Sequence, residues 1–211
     1  MARGRSPGYD DQREMILARA AELFAHRGYP ATSMNQVAEA CGFSKALLYH
    51  YYRDKYSLLV SIAESHVSRL VDLVADVEAL GLAPDPRLRE LIRRFVREYA
   101  GAQHAHRVLT EDVKFLEGED RERVIAFERT VVAGFARVVQ LLRPDLEGEA
   151  LAKPLTMLLF GMINWMFIWM RPEGRLDYDS MAPMVADLFL GGLPAVTPPV
   201  SSTPIPSETS A

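Results

Sequence analysis

The chain has 211 residues, 49% hydrophobic, 25% charged and 9% aromatic, with 24 Lys/Arg against 28 Asp/Glu. That is the composition of a folded globular protein with room for a sizeable core in one or two domains; it excludes a disordered or collagenous chain, and the single cysteine, Cys41, excludes an internal disulfide. The N-terminus has no apolar run of a signal peptide, and the most apolar stretch, Leu155 to Met170, is shorter than the roughly 20 residues of a membrane span, so a cytoplasmic protein without a membrane partner is expected.

Helical spacing of apolar residues recurs along the chain, and no alternating run long enough for a strand appears. Ile16, Ala20, Leu23 and Phe24 share one face of a first helix, started by Asp10 or Asp11 and stopped by Gly28. A second helix runs from Thr32 or Ser33 to Cys41, and a short third begins at Ser44. A long fourth carries Leu59, Ile62, Ala63, Val67, Leu70, Val74 and Val77, and Gly81 with Pro84–Pro86 breaks it. Further helices are expected from Pro86 to Ala102 and from His104 to Leu116, with a polar break at Gly118–Asp120. Val124 to Leu142 forms the next, an apolar helix follows from Gly148 to Met170, and a last spans Met181 to Phe189. The fold class is all-α. The expected division is a helix-turn-helix domain at 1–56, a helical ligand-binding and dimerisation domain at 57–193, and a disordered Pro/Ser/Thr tail at 194–211.

The segment from Met34 to Tyr52 meets the demands of a helix-turn-helix. Ala38 is small where two steeply crossing helices come closest, Gly42 follows where the chain must turn with positive φ, Val37, Cys41 and Leu48 face inward, and Ser44 can cap the second helix. Cys41 reads as a small inward residue, not a redox switch. Lys45, Ala46, Tyr49, His50 and Tyr51 remain on the outer face, with Lys55 just beyond. Ala46 permits close approach to base edges, lysines meet phosphates, and Tyr and His offer planar surface with a polar tip; Tyr52 is assigned to packing. Residues 1–56 hold eight Lys/Arg against six Asp/Glu while the remainder hold sixteen against twenty-two, so only the first quarter has the sign of a DNA partner.

Gly28-Tyr-Pro-Ala-Thr-Ser33, Val37-Ala-Glu-Ala-Cys-Gly-Phe-Ser-Lys45 and Leu48-Tyr-His-Tyr-Tyr-Arg-Asp-Lys55 together resemble the N-terminal signature of the TetR family of bacterial repressors. That family often has Gly where this chain has Ala46, and Ala where it has Cys41. The resemblance implies a homodimer on a roughly palindromic double-stranded operator, with recognition helices about 34–36 Å or somewhat more apart. It implies a fourth helix linking the DNA-binding head to a ligand-binding body, no enzymatic activity and no cofactor beyond an effector ligand. Thr32 and Ser33 would donate to backbone phosphates, and Ser44 would lie at the same surface.

In the body, the apolar helix Pro154–Met170 has no polar face and needs cover on all sides, from a partner subunit and around a cavity. Phe95, Tyr99, Phe115, Phe127, Phe135, Met162, Trp165 and Phe167 suit an apolar or aromatic ligand there. Asn164 pairs across a dimer or reads a polar group of the ligand; both stay open. Arg87, Arg89, Arg93, Arg94 and Arg97 form a solvated face or a phosphate patch at the cavity mouth. Leu159 to Leu176, with Ala186 to Leu193, is similar to the acyl-CoA-responsive branch of the family, and within it to repressors of phenylacetate degradation. This implies an acyl-CoA thioester such as phenylacetyl-CoA as effector. An efflux-gene repressor sensing lipophilic drugs is the alternative. A helical enzyme is disfavoured, because His104 and His106 face different ways and no metal or nucleophile motif is present.

Overall fold

The computed structural model describes residues 7–149, 151–170 and 176–197. It is all-helical, with no strand among the described residues: α1 (Pro7–Arg27), α2 (Met34–Ala40), α3 (Lys45–Tyr51), α4 (Lys55–Ala79), α5 (Pro84–Gly101), α6 (Gln103–Glu111), α7 (Gly118–Leu142), α8 (Ala152–Trp169) and α9 (Tyr178–Gly192). Local chemistry sets the ends. Ser33, Ser44, Asp54 and Asp177 each accept a backbone N–H at a helix N-terminus.

Several expected boundaries move, among them the end of α6, which stops at Glu111 and not at Leu116. Gly118–Asp120 is the first turn of α7, not a break, because Glu119 and Asp120 sit well at the positive end of a helix. The expected start of α8 is displaced by a short 3₁₀ helix, Pro144–Glu149. The chain stays folded past residue 193: Leu193–Ala195 forms a 3₁₀ turn with Leu193 buried, and the Arg143 guanidinium donates to the carbonyls of Leu193 and Val196. Residues 198–211 of the expected tail lie outside the described ones.

Two cores divide the molecule, and α4 belongs to both. Leu58, Leu59, Ile62, Ala63 and Val67 pack with Ile16, Phe24, Val37 and Leu48 of α1–α3, while Leu70, Val74 and Val77 pack with α5, α7, α8 and α9. The first core also takes Val108 and Leu109 of α6 and Val124 of α7, so apolar packing runs across the expected boundary at residue 56. At Gly134, α7 approaches α4 so closely that a methyl group would overlap Val74 Cγ1.

Candidate functional site

Backbone geometry builds the helix-turn-helix as its residues require. Gly42 has φ +67, and the Phe43 N–H donates to the Ala38 carbonyl at 2.9 Å, closing α2. Val37, Ala38 and Leu48 are buried between the helices. Cys41 is half-buried and burial pushes its thiol up, which disfavours a thiolate. The Ser44 hydroxyl accepts the Leu47 N–H at 3.2 Å and starts α3.

One exposed face results. Lys45, Ala46, Tyr49 and His50 project from α3, with the Lys45 ammonium 5.8 Å from the Tyr49 ring centre. Ser33 is exposed at the start of α2 in a reciprocal cap with Gln36. Leu47, half-way along the same face, was not among the expected contacts. Its 38% exposure places an apolar side chain beside Ala46, suited to a thymine methyl. Exposure of an apolar residue at a position off the Leu48 stripe was the available signal.

Three expected contacts are occupied elsewhere. Thr32 is 2% exposed and its hydroxyl donates to the Gly28 carbonyl at 3.0 Å, so it ties the α1–α2 loop and has no side chain to give a phosphate. The Lys55 ammonium donates to the carbonyls of Tyr29 and Pro30 at 2.7 and 3.1 Å and lies 4.4 Å from the Tyr29 ring centre. It clamps that loop to α4. Tyr51 turns to α1, with its hydroxyl on the Gln12 side chain and its ring 4.9 Å from that of Tyr9.

In the body, a cavity of about 210 Å³ opens between α4, α5, α6, α7 and α8. Val67, Leu70, Leu109, Val131 and Phe160 form its apolar wall; Tyr99, His106, Thr110, Glu128 and Asn164 supply polar groups. Of the expected ligand residues, only Tyr99 and Asn164 line it. Phe95 and Phe135 are fully buried, edge to face at 4.8 Å, and fill the core behind it. Met162 packs against that same core. Phe115 and Phe127 belong to the head-side core, Phe115 lying 5.3 Å from Tyr29. Trp165 is 62% exposed on the outer face of α8, and the side chain of Phe167 lies outside the described ones.

His106 in the polar wall is one half of a histidine pair that composition did not reveal. His66 Nε2 lies 3.2 Å from His106 Nδ1, and the Tyr99 ring stacks on His106 with centres 3.6 Å apart. Burial pulls His66 down to about 4 and His106 to about 3, so both rings are neutral near pH 7. The position of His66 in the stripe Ile62–Ala63–Val67–Leu70 was the readable signal. Burial likewise raises the Glu128 carboxyl above its ordinary value and the Tyr99 hydroxyl above its own. Asn164 Oδ1 is buried with no hydrogen-bond partner among the described residues.

The arginines of α5 do not reach this cavity. Arg89 pairs with Asp85 and Asp187, Arg97 with Asp179, and Arg93 and Arg94 converge on Glu90 at 2.6 Å, holding its carboxyl down to about 2. Arg87 donates to the Leu82 carbonyl. Of the two readings of these arginines, the structure favours the solvated face, whose ion pairs partly staple α5 to α9. No cluster able to hold a metal occurs among the described residues, and no described helix is long and apolar enough to cross a membrane.

The outer face of α8 and α9 is apolar and uncovered in a single chain. Leu158, Trp165, Ile168 and Trp169 on α8, with Met184 and Leu188 on α9, are between 39% and 69% exposed.

Comparison with known proteins gives two family matches: residues 16–62 match bacterial regulatory proteins of the tetR family, and residues 81–193 match the tetracyclin repressor-like C-terminal domain. The chain is 27% identical to the HTH-type transcriptional activator FasR of Mycolicibacterium smegmatis over 90% of this chain and 87% of that one. The crystal structure of a TetR-family transcriptional regulator from Bordetella parapertussis superposes with a TM-score of 0.83, at 33% identity, covering 90% of this chain and 99% of that one. AibR, solved in complex with isovaleryl coenzyme A and operator DNA, superposes with a TM-score of 0.72 at 25% identity, over 84% of this chain and 97% of its own. These relatives are regulators of transcription, not enzymes.

Proposed function

The chain belongs to the TetR family of bacterial regulatory proteins, and we propose that it is a cytoplasmic, homodimeric repressor whose operator is released by an acyl-CoA thioester such as phenylacetyl-CoA. The observation that carries this reading is α4. Its first turns hold the head through Lys55, Leu58 and Leu59, and its middle turns, Val67 and Leu70, form part of the cavity wall. A ligand that prefers a displaced α4 therefore biases the spacing of two heads, and a preference of about 3 kcal/mol weakens operator binding roughly 150-fold. The DNA face is Ser33, Ser44, Lys45, Ala46, Leu47, Tyr49 and His50. The apolar face of α8 and α9 supports a four-helix contact between two copies, since a monomer rarely leaves so much contiguous apolar surface in water.

The relative solved with isovaleryl coenzyme A and operator DNA supports a thioester as effector. A second reading, a repressor sensing lipophilic cations, is favoured by one observation, the Glu128 carboxyl in the cavity wall. Footprinting on the DNA upstream of its own gene tests both. Protection of two half-sites, lost on adding phenylacetyl-CoA but not free phenylacetate, is expected. Loss with a lipophilic cation but not with the thioester would replace the first reading by the second.

A further inference from the structure

The inner cavity has a neighbour across Glu128, Val132 and Met157. These three residues also line a neighbouring groove of about 430 Å³, whose other walls are Ile125, Ala133 and Ala136 with Arg129 and Lys153 at its rim. The two spaces therefore adjoin along α7 and α8. Their chemistry differs. The inner one is apolar with a few fixed polar groups. The outer one carries two exposed cations that make no ion pair among the described residues, unlike Arg89, Arg93, Arg94 and Arg97 on α5.

Size limits what the inner space can take. An apolar cavity of roughly 150 Å³ accepts a benzene molecule, so one of about 210 Å³ has room for a single ring or a short branched chain. The polar wall suits a carbonyl. A half-turn of the Asn164 amide exchanges its oxygen and nitrogen and offers an N–H to a carbonyl oxygen. Glu128, whose carboxyl burial raises above its ordinary value, stands between the two spaces.

Resting on the acyl-thioester reading above, we infer that the cavity and the groove are one ligand path. A single-ring or short branched acyl group occupies the inner cavity, the thioester carbonyl lies near Glu128 and Asn164, and the phosphate-bearing carrier crosses Arg129 and Lys153. The arginines of α5 have no part in it.

Calorimetric titration of the full chain tests this with phenylacetyl-CoA, palmitoyl-CoA, coenzyme A and phenylacetate. The wild type is expected to bind phenylacetyl-CoA more tightly than the other three. Arg129→Ala with Lys153→Ala is expected to bind it at least about tenfold more weakly, the scale of one lost charge-assisted contact. Arg129→Lys with Lys153→Arg, which keeps both charges, restores binding, and Arg93→Ala leaves it unchanged. Thermal melting establishes that each variant is folded. Unchanged phenylacetyl-CoA binding in the double alanine variant, or palmitoyl-CoA binding as tightly, would overturn the inference while leaving the thioester reading in place. Failure of every thioester and of coenzyme A to bind the wild type would overturn both.

Discussion

Lys55 and Tyr29 meet across the joint between the head and α4: the ammonium donates to the Tyr29 carbonyl at 2.7 Å and sits 4.4 Å from the centre of its ring. The residue that sequence position suggests as a phosphate contact is thereby a clamp on the α1–α2 loop. Burial lowers the Lys55 ammonium below its ordinary value, because desolvation disfavours its charged form.

Lys45 and Lys55 should consequently respond differently to removal of their charge. Lys45→Ala is expected to weaken operator binding and reduce the salt dependence of the affinity by about one unit of slope. Lys55→Met is expected to leave that slope unchanged and destabilise the head by about 1 kcal/mol, the scale of a part-exposed hydrogen bond from a charged group. Anisotropy titrations at several salt concentrations, with urea unfolding, check both. A lower slope in Lys55→Met would return that residue to the DNA face.

The His66–His106 pair predicts a pH dependence of stability. Both folded values lie below the ordinary histidine value, at about 4 and about 3. Between about pH 6.5 and about pH 4 the unfolded chain takes up protons that the folded chain refuses, so stability falls as pH falls. The slope reaches at most about 1.4 kcal/mol per pH unit for each histidine. Urea midpoints from pH 7.5 to 5 should decline less steeply in His66→Gln than in the wild type. Parallel declines would show that carboxylates alone set the trend.

Helix α7 passes α4 with only a glycine between them. Gly134→Ala places a methyl group on Val74 Cγ1 and is expected to cost about 1–3 kcal/mol, the usual range for overpacking. Val74→Ala in the same chain should recover part of that loss in a thermal melt. Additive losses would mean that the two helices separate freely.

The uncovered face of α8 and α9 predicts an oligomer that one charge disrupts. Leu188, 69% exposed on α9, is the most open large apolar residue there. Leu188→Arg is expected to sediment as a monomer with its helical spectrum intact and to lose operator affinity through loss of two-site binding. A wild-type protein sedimenting as a monomer at micromolar concentration would remove the basis of the prediction.

How far these features could be read beforehand depended on the range of the contact. The helix-turn-helix was legible because Ala38, Gly42, Ser44 and Leu48 act on neighbours within one turn or one helix crossing. Lys55 and Tyr51 were not, because their partners Tyr29 and Tyr9 are chosen by how three helices assemble, whereas the Thr32 hydroxyl turns back to the Gly28 carbonyl, a local contact that competes with a phosphate. Periodicity told that Phe95, Phe115, Phe127 and Phe135 point inward. It could not tell that α4 divides the interior, sending Phe115 and Phe127 to one core and Phe95 and Phe135 to the other. The sequence left the α5 arginines between a solvated face and a phosphate patch, because two of their partners, Asp179 and Asp187, lie on α9, far along the chain.

The most direct test of the whole account is the affinity of the purified chain for DNA from upstream of its own gene, measured by fluorescence anisotropy at one fixed salt concentration. Salt must be held because phosphate contacts make the affinity depend on it. The account predicts tight binding that phenylacetyl-CoA releases and free phenylacetate does not. Tight binding that no thioester alters would contradict it.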